Sequence, residues 1–88
     1  MNKSELIAVM DMAISGDENQ VMRMWQICKC IEDIAKEHGN SASEKEFYQL
    51  GNCWIVLSGE GVLPSIKDIM RKDIKNRTLS AVSDLLGW

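Results

Sequence analysis

The sequence predicts an all-α fold, a small five-helix domain with a C-terminal helix-turn-helix. Four segments begin with a helix-capping pattern, a polar or proline start followed by an acidic residue or glutamine. In each segment the apolar residues then recur three and four positions apart, which is the period of an amphipathic helix. The chain has 88 residues, the size of a single domain. We therefore expect one helical domain without a linker.

The first two helices are marked by their ends. A capping box at Asn2 opens the first helix, and Gly16 stops it. A second box at Asp17 opens the longest helix, which covers about 20 residues and ends at Gly39. His38, the only histidine, lies in the last turn of that helix, where we expect it to interact with a backbone carbonyl or the helix dipole.

The third helix follows a polar loop predicted at residues 40–43, and Ser43 is its predicted cap. Residues 53–57 are apolar enough to form a short buried strand instead. The spacing of the apolar residues and the cap favour a helix there. A glycine-containing turn is predicted at residues 58–61.

The last third of the chain has the pattern of a helix-turn-helix. Pro64 precedes Ser65, the predicted cap of a fourth helix, whose basic residues repeat every four positions on its predicted outer side. A tight polar corner is predicted at residues 75–78, and Thr78 opens a fifth helix. In such a motif the second helix enters the major groove of DNA and the first braces it.

The apolar faces of the predicted helices define a core. Large residues on those faces are expected to be mostly buried: Trp25, Ile31, Leu50, Trp54, Ile69, Ile74, Val82 and Leu85. The cysteines are expected to be small core residues. Cys28 and Cys30 point about 200° apart on a helix, so they cannot bind one metal ion together.

Composition and charge narrow the class of protein. The net charge is −3, yet residues 64–88 contain five basic and three acidic residues, so the last third is locally basic. No apolar run approaches the ~20 residues of a membrane span, and the N-terminus lacks the pattern of a signal peptide. An odd number of cysteines favours a reducing cytoplasm. No phosphate-binding, paired-carboxylate or metal motif is present, so we expect neither an enzyme, nor a cofactor, nor a metal site.

A resemblance adds to this interpretation. Residues 61–65, 76–79 and 85–88 resemble the N-terminal DNA-binding domain of KfrA-type plasmid proteins, with a Pro-Ser helix start, a small polar corner and a Leu-x-x-Trp close. The Leu-Pro-Ser start also resembles the helix-turn-helix of GntR-type regulators. The resemblance covers residues 50–88 and implies DNA binding, although the usual corner glycine is absent.

The leading hypothesis is therefore a small cytoplasmic DNA-binding regulator of phage or plasmid type. Phosphate contacts are expected from the basic brace and corner, and base contacts from short polar side chains. The residues expected to contact DNA are Lys67, Arg71, Lys72, Lys75, Asn76, Arg77, Thr78 and Ser80.

Residues 1–40 are predicted to serve dimerisation or partner binding, and residues 44–88 to form the helix-turn-helix segment. The first helix has a wide apolar arc, and regulators of this kind usually act as dimers. We expect a homodimer, with Leu6, Ile7, Met10 and Ile14 in its interface.

The alternative is an acidic helical protein-interaction module that binds no DNA, an inhibitor or adaptor such as a phage anti-host or anti-defence protein. The direction in which the basic residues point distinguishes the two hypotheses.

Overall fold

Residues 1–59 and 61–88 are described by a computed structural model, and their fold is all-helical. These residues contain four α-helices and no β-strand: α1 Lys3–Ile14, α2 Glu18–Glu37, α3 Ser41–Val56 and α4 Pro64–Leu86. The predicted all-α class is confirmed, and the predicted number of five helices is wrong. The turn predicted at residues 58–61 includes Glu60, which lies outside the described residues.

Two of the predicted helix starts are confirmed. The Asn2 side chain accepts a hydrogen bond from the backbone N–H of Glu5 at 2.9 Å. Asp17 accepts from the backbone N–H of Asn19 at 3.0 Å. Each cap satisfies backbone donors that have no partner within the helix.

The end of α2 and the start of α3 form one tight connection. The ring Nδ1 of His38 donates to the carbonyl of Ile34 at 2.7 Å, as the sequence predicts. Gly39 takes a left-handed conformation with φ of 67°. Asn40 then caps α3 by accepting from the backbone N–H of Ser43 at 3.0 Å. The prediction of a loop at residues 40–43 capped by Ser43 is therefore wrong, because Asn40 starts the helix earlier.

α4 is a single helix of 23 residues, so the predicted corner at residues 75–78 is helical. No glycine or proline lies between Pro64 and Gly87, and an asparagine or threonine inside a helix costs only a few tenths of a kcal/mol. The predicted cap at Ser65 is also wrong, because Leu63 is the cap residue and makes no side-chain cap bond. A helix-turn-helix with its corner at residues 75–78 is therefore not formed.

The core lies between α2 and α3, with α1 against α2 and α4 against α3. The two central helices come close at Gly51, where a Cβ would lie 3.4 Å from the Cβ of Cys28 and 3.6 Å from the Trp25 ring. A Cβ would only touch these atoms, whereas a side chain longer than alanine would need α2 and α3 to move apart. Strand formation at residues 53–57 is excluded because α3 continues through Val56.

Most of the predicted core is confirmed. Five of the eight predicted residues are buried, namely Ile31, Leu50, Trp54, Ile74 and Val82. Trp25 and Leu85 are half-buried. Ile69 is 67% exposed, so its prediction is wrong. Ile69 lies nine residues before the buried Thr78, which is about two and a half turns of one continuous helix and places it on the opposite side.

One buried hydrogen bond joins α3 to α4 inside the core. Trp54 Nε1 donates to Thr78 Oγ1 at 3.1 Å, and both residues are fully buried. Burial removes both groups from water, so each polar atom depends on the other for its hydrogen bond.

Replacing Thr78 by valine is expected to lower the free energy of unfolding by about 1–3 kcal/mol, because the Trp54 N–H stays buried without an acceptor. Thr78→Ser keeps the hydroxyl and is the matched control, expected to cost less. Trp54→Ala removes the ring as well and is expected to cost about 3–5 kcal/mol. Urea denaturation measures all three variants. A Thr78→Val protein as stable as the wild type would contradict this role of the bond.

The continuity of α4 can be tested at Asn76, which is exposed in the middle of the helix. Asn76→Ala is expected to raise the free energy of unfolding by about 0.5 kcal/mol, since alanine has the higher helix propensity. Asn76→Pro is expected to lower it by about 3 kcal/mol or more. Circular dichroism during denaturation measures both. If the proline variant were as stable as the alanine variant, residues 75–78 would form a corner after all.

Candidate interaction surface

The eight residues predicted to contact DNA lie on one helix but do not share one face. Lys67, Arg71 and Lys75 are half-buried, not fully on the outside as predicted. The Nζ of Lys75 donates to the Asp11 carboxylate of α1 at 2.6 Å. Arg71 pairs with Asp68 of its own helix at 3.3 Å. Arg71 and Lys75 therefore lie beside carboxylates, whereas Lys67 forms no ion pair within the described residues.

Arg77 is compensated from two sides. Its guanidinium lies 3.6 Å from Glu46 of α3 and 3.8 Å from Asp73, one turn earlier on α4. The three groups border the groove between α3 and α4.

Thr78 cannot approach a base edge as predicted. Its side chain is fully buried, and its hydroxyl accepts the hydrogen bond from Trp54. The predicted base contacts Asn76 and Ser80 are exposed. The three polar residues are thus divided between the core and the surface.

The outward face of α4 is not basic. Its exposed charged residues from Lys72 onward are two cations, Lys72 and Arg77, and two carboxylates, Asp73 and Asp84, beside the neutral Asn76 and Ser80. A major-groove face needs cations or neutral donors toward the phosphates, and carboxylates there repel DNA.

The residues predicted to form a dimer interface pack into the core of a single chain. Leu6 and Met10 are buried, and Ile7 and Ile14 are half-buried against the same core. The prediction that Leu6 and Met10 lie in a dimer interface is therefore wrong, because α2 and the rest of the core cover them. Their wide apolar arc reflects a helix packed against several neighbours.

A row of exposed aliphatic residues lies at the N-terminal end of α4. Leu63 is 63% exposed, Ile66 is 46% exposed and Ile69 is 67% exposed, and the half-buried Met70 continues the row. We call these four residues the apolar stripe. Of these four residues, Ile69 is the one that the sequence predicts to be buried. In a single helix over residues 64–86, which the lack of internal glycine allows, Ile69 lies about 180° from Thr78 and Ile66 about 120°. Met70 lies only about 80° from Thr78 and packs partly against the core.

A small cavity lies at the end of the apolar stripe, between α3 and α4. Its volume is about 130 Å³. It is lined by Cys53, Ile69, Met70, Asp73, Ile74 and Arg77. Its walls are largely aliphatic, and the Asp73–Arg77 pair lies at its polar side.

Two lysines flank the apolar stripe. On a helix with about 100° per residue, Lys67 lies about 60° to one side of Met70 and Lys72 about 60° to the other side of Ile69. Neither lysine forms an ion pair with a carboxylate of the described residues. Two exposed carboxylates lie at the same surface, Asp68 about 40° from Lys72 and Asp73 between the directions of Ile69 and Ile66, so the stripe is surrounded by charges of both signs.

A second groove, of about 360 Å³, lies between the start of α1, the middle of α2 and the end of α4. Its apolar walls include Leu6, Ile27, Ile31, Leu86 and Trp88. Both ends of the chain border it, since Met1 also contributes to its lining.

The cysteines differ from the predicted pattern. Cys28 is buried as expected, whereas Cys30 is exposed and Cys53 half-buried. Burial raises the pKa of the Cys28 thiol from 9.0 to about 12, because the thiolate would lose its hydration. The neighbouring Lys29 opposes this rise only in part. Cys28 is therefore an unreactive core thiol.

Comparison of the chain with models of protein families, with curated proteins and with solved structures found no match. The resemblance of residues 50–88 to KfrA-type and GntR-type domains stays a prediction. Within residues 1–59 and 61–88, no helix combines the length and the apolar character needed to cross a membrane.

Stability is expected to fall as the pH rises above 9.0, because unfolded Cys28 loses its proton near that pH while the folded protein keeps it to about pH 12. The folded state then binds more protons, and this one group lowers the free energy of unfolding by up to about 1.4 kcal/mol per pH unit. Urea denaturation from pH 8 to 11 measures the slope. Cys28→Ala should remove this component, whereas Cys30→Ala should keep it. Equal slopes in wild type and Cys28→Ala would contradict the assignment.

Proposed function

We propose that this chain is a protein-interaction module, an acidic helical inhibitor or adaptor that binds another protein through the apolar stripe of α4. The observation that carries the proposal is the arrangement of α4. Three of its five basic residues, Arg71, Lys75 and Arg77, lie beside carboxylates of α1, α3 and α4 itself. At its N-terminal end Ile66 and Ile69 are exposed to solvent.

The charges support protein binding over DNA binding. DNA binding gains its free energy largely from cations that replace counterions on phosphates. Lys75 and Arg77 already lie beside Asp11 and Glu46, and a phosphate would have to compete with those carboxylates. Exposed pairs of this kind contribute only about 0–1 kcal/mol to stability. Their main consequence is therefore to reduce the positive potential of α4.

The apolar stripe supports the same proposal. Leu63, Ile66 and Ile69 each leave much of a large aliphatic side chain in water. Burying apolar surface contributes about 25 cal/mol of stabilisation per Å². The exposed parts of these side chains contribute none of it in the single chain, and a complex that covers them would gain it. Adjacent exposed aliphatic residues in a small domain mark protein interaction sites. We place the interaction in the cytoplasm, which suits a chain with three free thiols.

The experiment compares wild type with Ile69→Asp, which places a charge in the apolar stripe, and with Met22→Asp, the same kind of change at an exposed site on α2. Both variants alter exposed side chains, so we expect folding stability to change by no more than about 0.5–1 kcal/mol. Affinity capture from an extract of the source cell, with quantitative mass spectrometry, should show a partner retained by wild type and Met22→Asp. Ile69→Asp should reduce its recovery by about tenfold or more.

DNA binding is the competing outcome. Fluorescence anisotropy with mixed-sequence duplexes at low salt should show no binding by the wild type. Binding that weakens with salt and is reduced by Arg77→Ala would reject the proposal and restore the DNA-binding hypothesis. A partner recovered equally by all three proteins would reject the apolar stripe as the binding surface.

A further inference from the structure

We infer that the groove between α1, α2 and α4 is a binding site for a small amphiphilic carboxylate. The apolar body of the ligand would lie along the groove, and its carboxylate would lie beside Arg23 of α2. This site does not depend on the proposed function. Leu86 borders the groove and Ile69 belongs to the apolar stripe, and the two lie about 25 Å apart along α4.

The groove has the size and the walls of a small-molecule site. Its volume of about 360 Å³ lies within the range of roughly 300–1,000 Å³ that is usual for ligand pockets. An apolar cavity of about 150 Å³ holds benzene, so this groove accepts a ligand of about 12–14 non-hydrogen atoms.

The rim of the groove leaves apolar surface in water. Leu6 and Ile31 line the groove and are buried, whereas Leu86 is 40% exposed and Trp88 is 39% exposed. A ligand that covers these two exposed side chains removes their apolar surface from water, which favours binding. The walls therefore select an apolar ligand body.

Arg23 selects the polar end of the ligand. It is the one charged residue among the described residues that line the groove. Arg23 and Ile27 lie about 40° apart around α2, on the face that also includes Cys30. No carboxylate of the described residues forms an ion pair with Arg23. A guanidinium binds a carboxylate through two parallel hydrogen bonds, and the amide of Gln26 in the same lining is a further donor.

The carboxylates of the protein lie away from this end of the groove. Those of α2 that come closest to the lining face are Asp33 and Glu37, about 15 and 21 Å from Arg23 along the helix axis. Glu5 of α1 and Asp84 of α4 are exposed and do not line the groove. An anionic group is therefore attracted to the Arg23 end, and a cationic group is repelled there.

The test compares three probes that have the same alkyl chain. Decanoate, with about 12 non-hydrogen atoms, fits the groove, decanol lacks the charge and decylammonium reverses it. Calorimetric titration of the full chain, below the concentrations at which the probes form micelles, should give a dissociation constant of about 1 mM or lower for decanoate. Decanol should bind about fivefold more weakly, the effect of one exposed ion pair. Decylammonium should bind more weakly still, although the net charge of −3 attracts cations to the rest of the protein.

Two variants assign the contact to Arg23. Arg23→Gln should remove the fivefold preference for decanoate over decanol and leave the binding of decanol unchanged. Lys36→Gln removes the same charge from an exposed site on the opposite face of α2, and it should keep the preference. Leu86→Asp, which places a carboxylate in the groove, should weaken the binding of decanoate by about tenfold or more.

Several results would overturn the inference. Equal affinity for decanoate and decanol, or a preference that persists in Arg23→Gln, rejects the carboxylate contact. A preference lost equally in Lys36→Gln assigns it to the overall charge of the protein. Titrations that show no saturable binding of any probe reject the site, and a dimer lost in Leu86→Asp by sedimentation assigns the groove to a second copy. The capture experiment with Ile69→Asp concerns the other end of α4, so its outcome tests the proposed function separately.

Discussion

The hydrogen bond between Trp54 and Thr78 determines how α4 is rotated against the rest of the molecule. A tryptophan N–H buried without an acceptor would be costly, so the threonine hydroxyl must face α3. Ile74 lies one turn before Thr78 and Val82 one turn after it, and both are buried on the same face. This one contact therefore fixes the rotation of the whole helix about its axis.

The rotation of α4 about its own axis decides on which side its charged and apolar residues lie. Lys75 and Arg77 fall on the two sides of the buried face, where they reach Asp11 of α1 and Glu46 of α3. Ile69 falls opposite the core, in solvent. Carboxylates of α1 and α3 thus partly compensate the charge of α4, and α4 presents Ile66 and Ile69 outward near its N-terminus, followed by charged and polar residues. The proposed interaction surface is a consequence of core packing two turns away.

The centre of the molecule is set by close approach of α2 and α3. Gly51 leaves room for Cys28 and Trp25, and the thiol of Cys28 is enclosed there with its pKa raised by burial. On the surface beside it, Lys29 Nζ lies 4.4 Å from the Tyr48 ring and 3.3 Å from Glu32. A cation between an aromatic face and a carboxylate stabilises this edge of the interface without exposing more apolar surface.

The sequence by itself determined the helical class and the caps at Asn2 and Asp17, because each depends on neighbours within one turn. For His38 it left a backbone carbonyl or the helix dipole, and the structure shows the carbonyl of Ile34. It could not decide between a corner and a helix at residues 75–78. Asparagine and threonine differ from good helix formers by only tenths of a kcal/mol, and threonine serves equally as a cap or as a buried residue. Only the tertiary structure decided between them. In a continuous helix Thr78 Oγ1 accepts the hydrogen bond of the buried Trp54 N–H, and the free energy of this bond exceeds the difference in helix propensity. That choice moved Ile69 from the predicted core to the surface, and with it the candidate site.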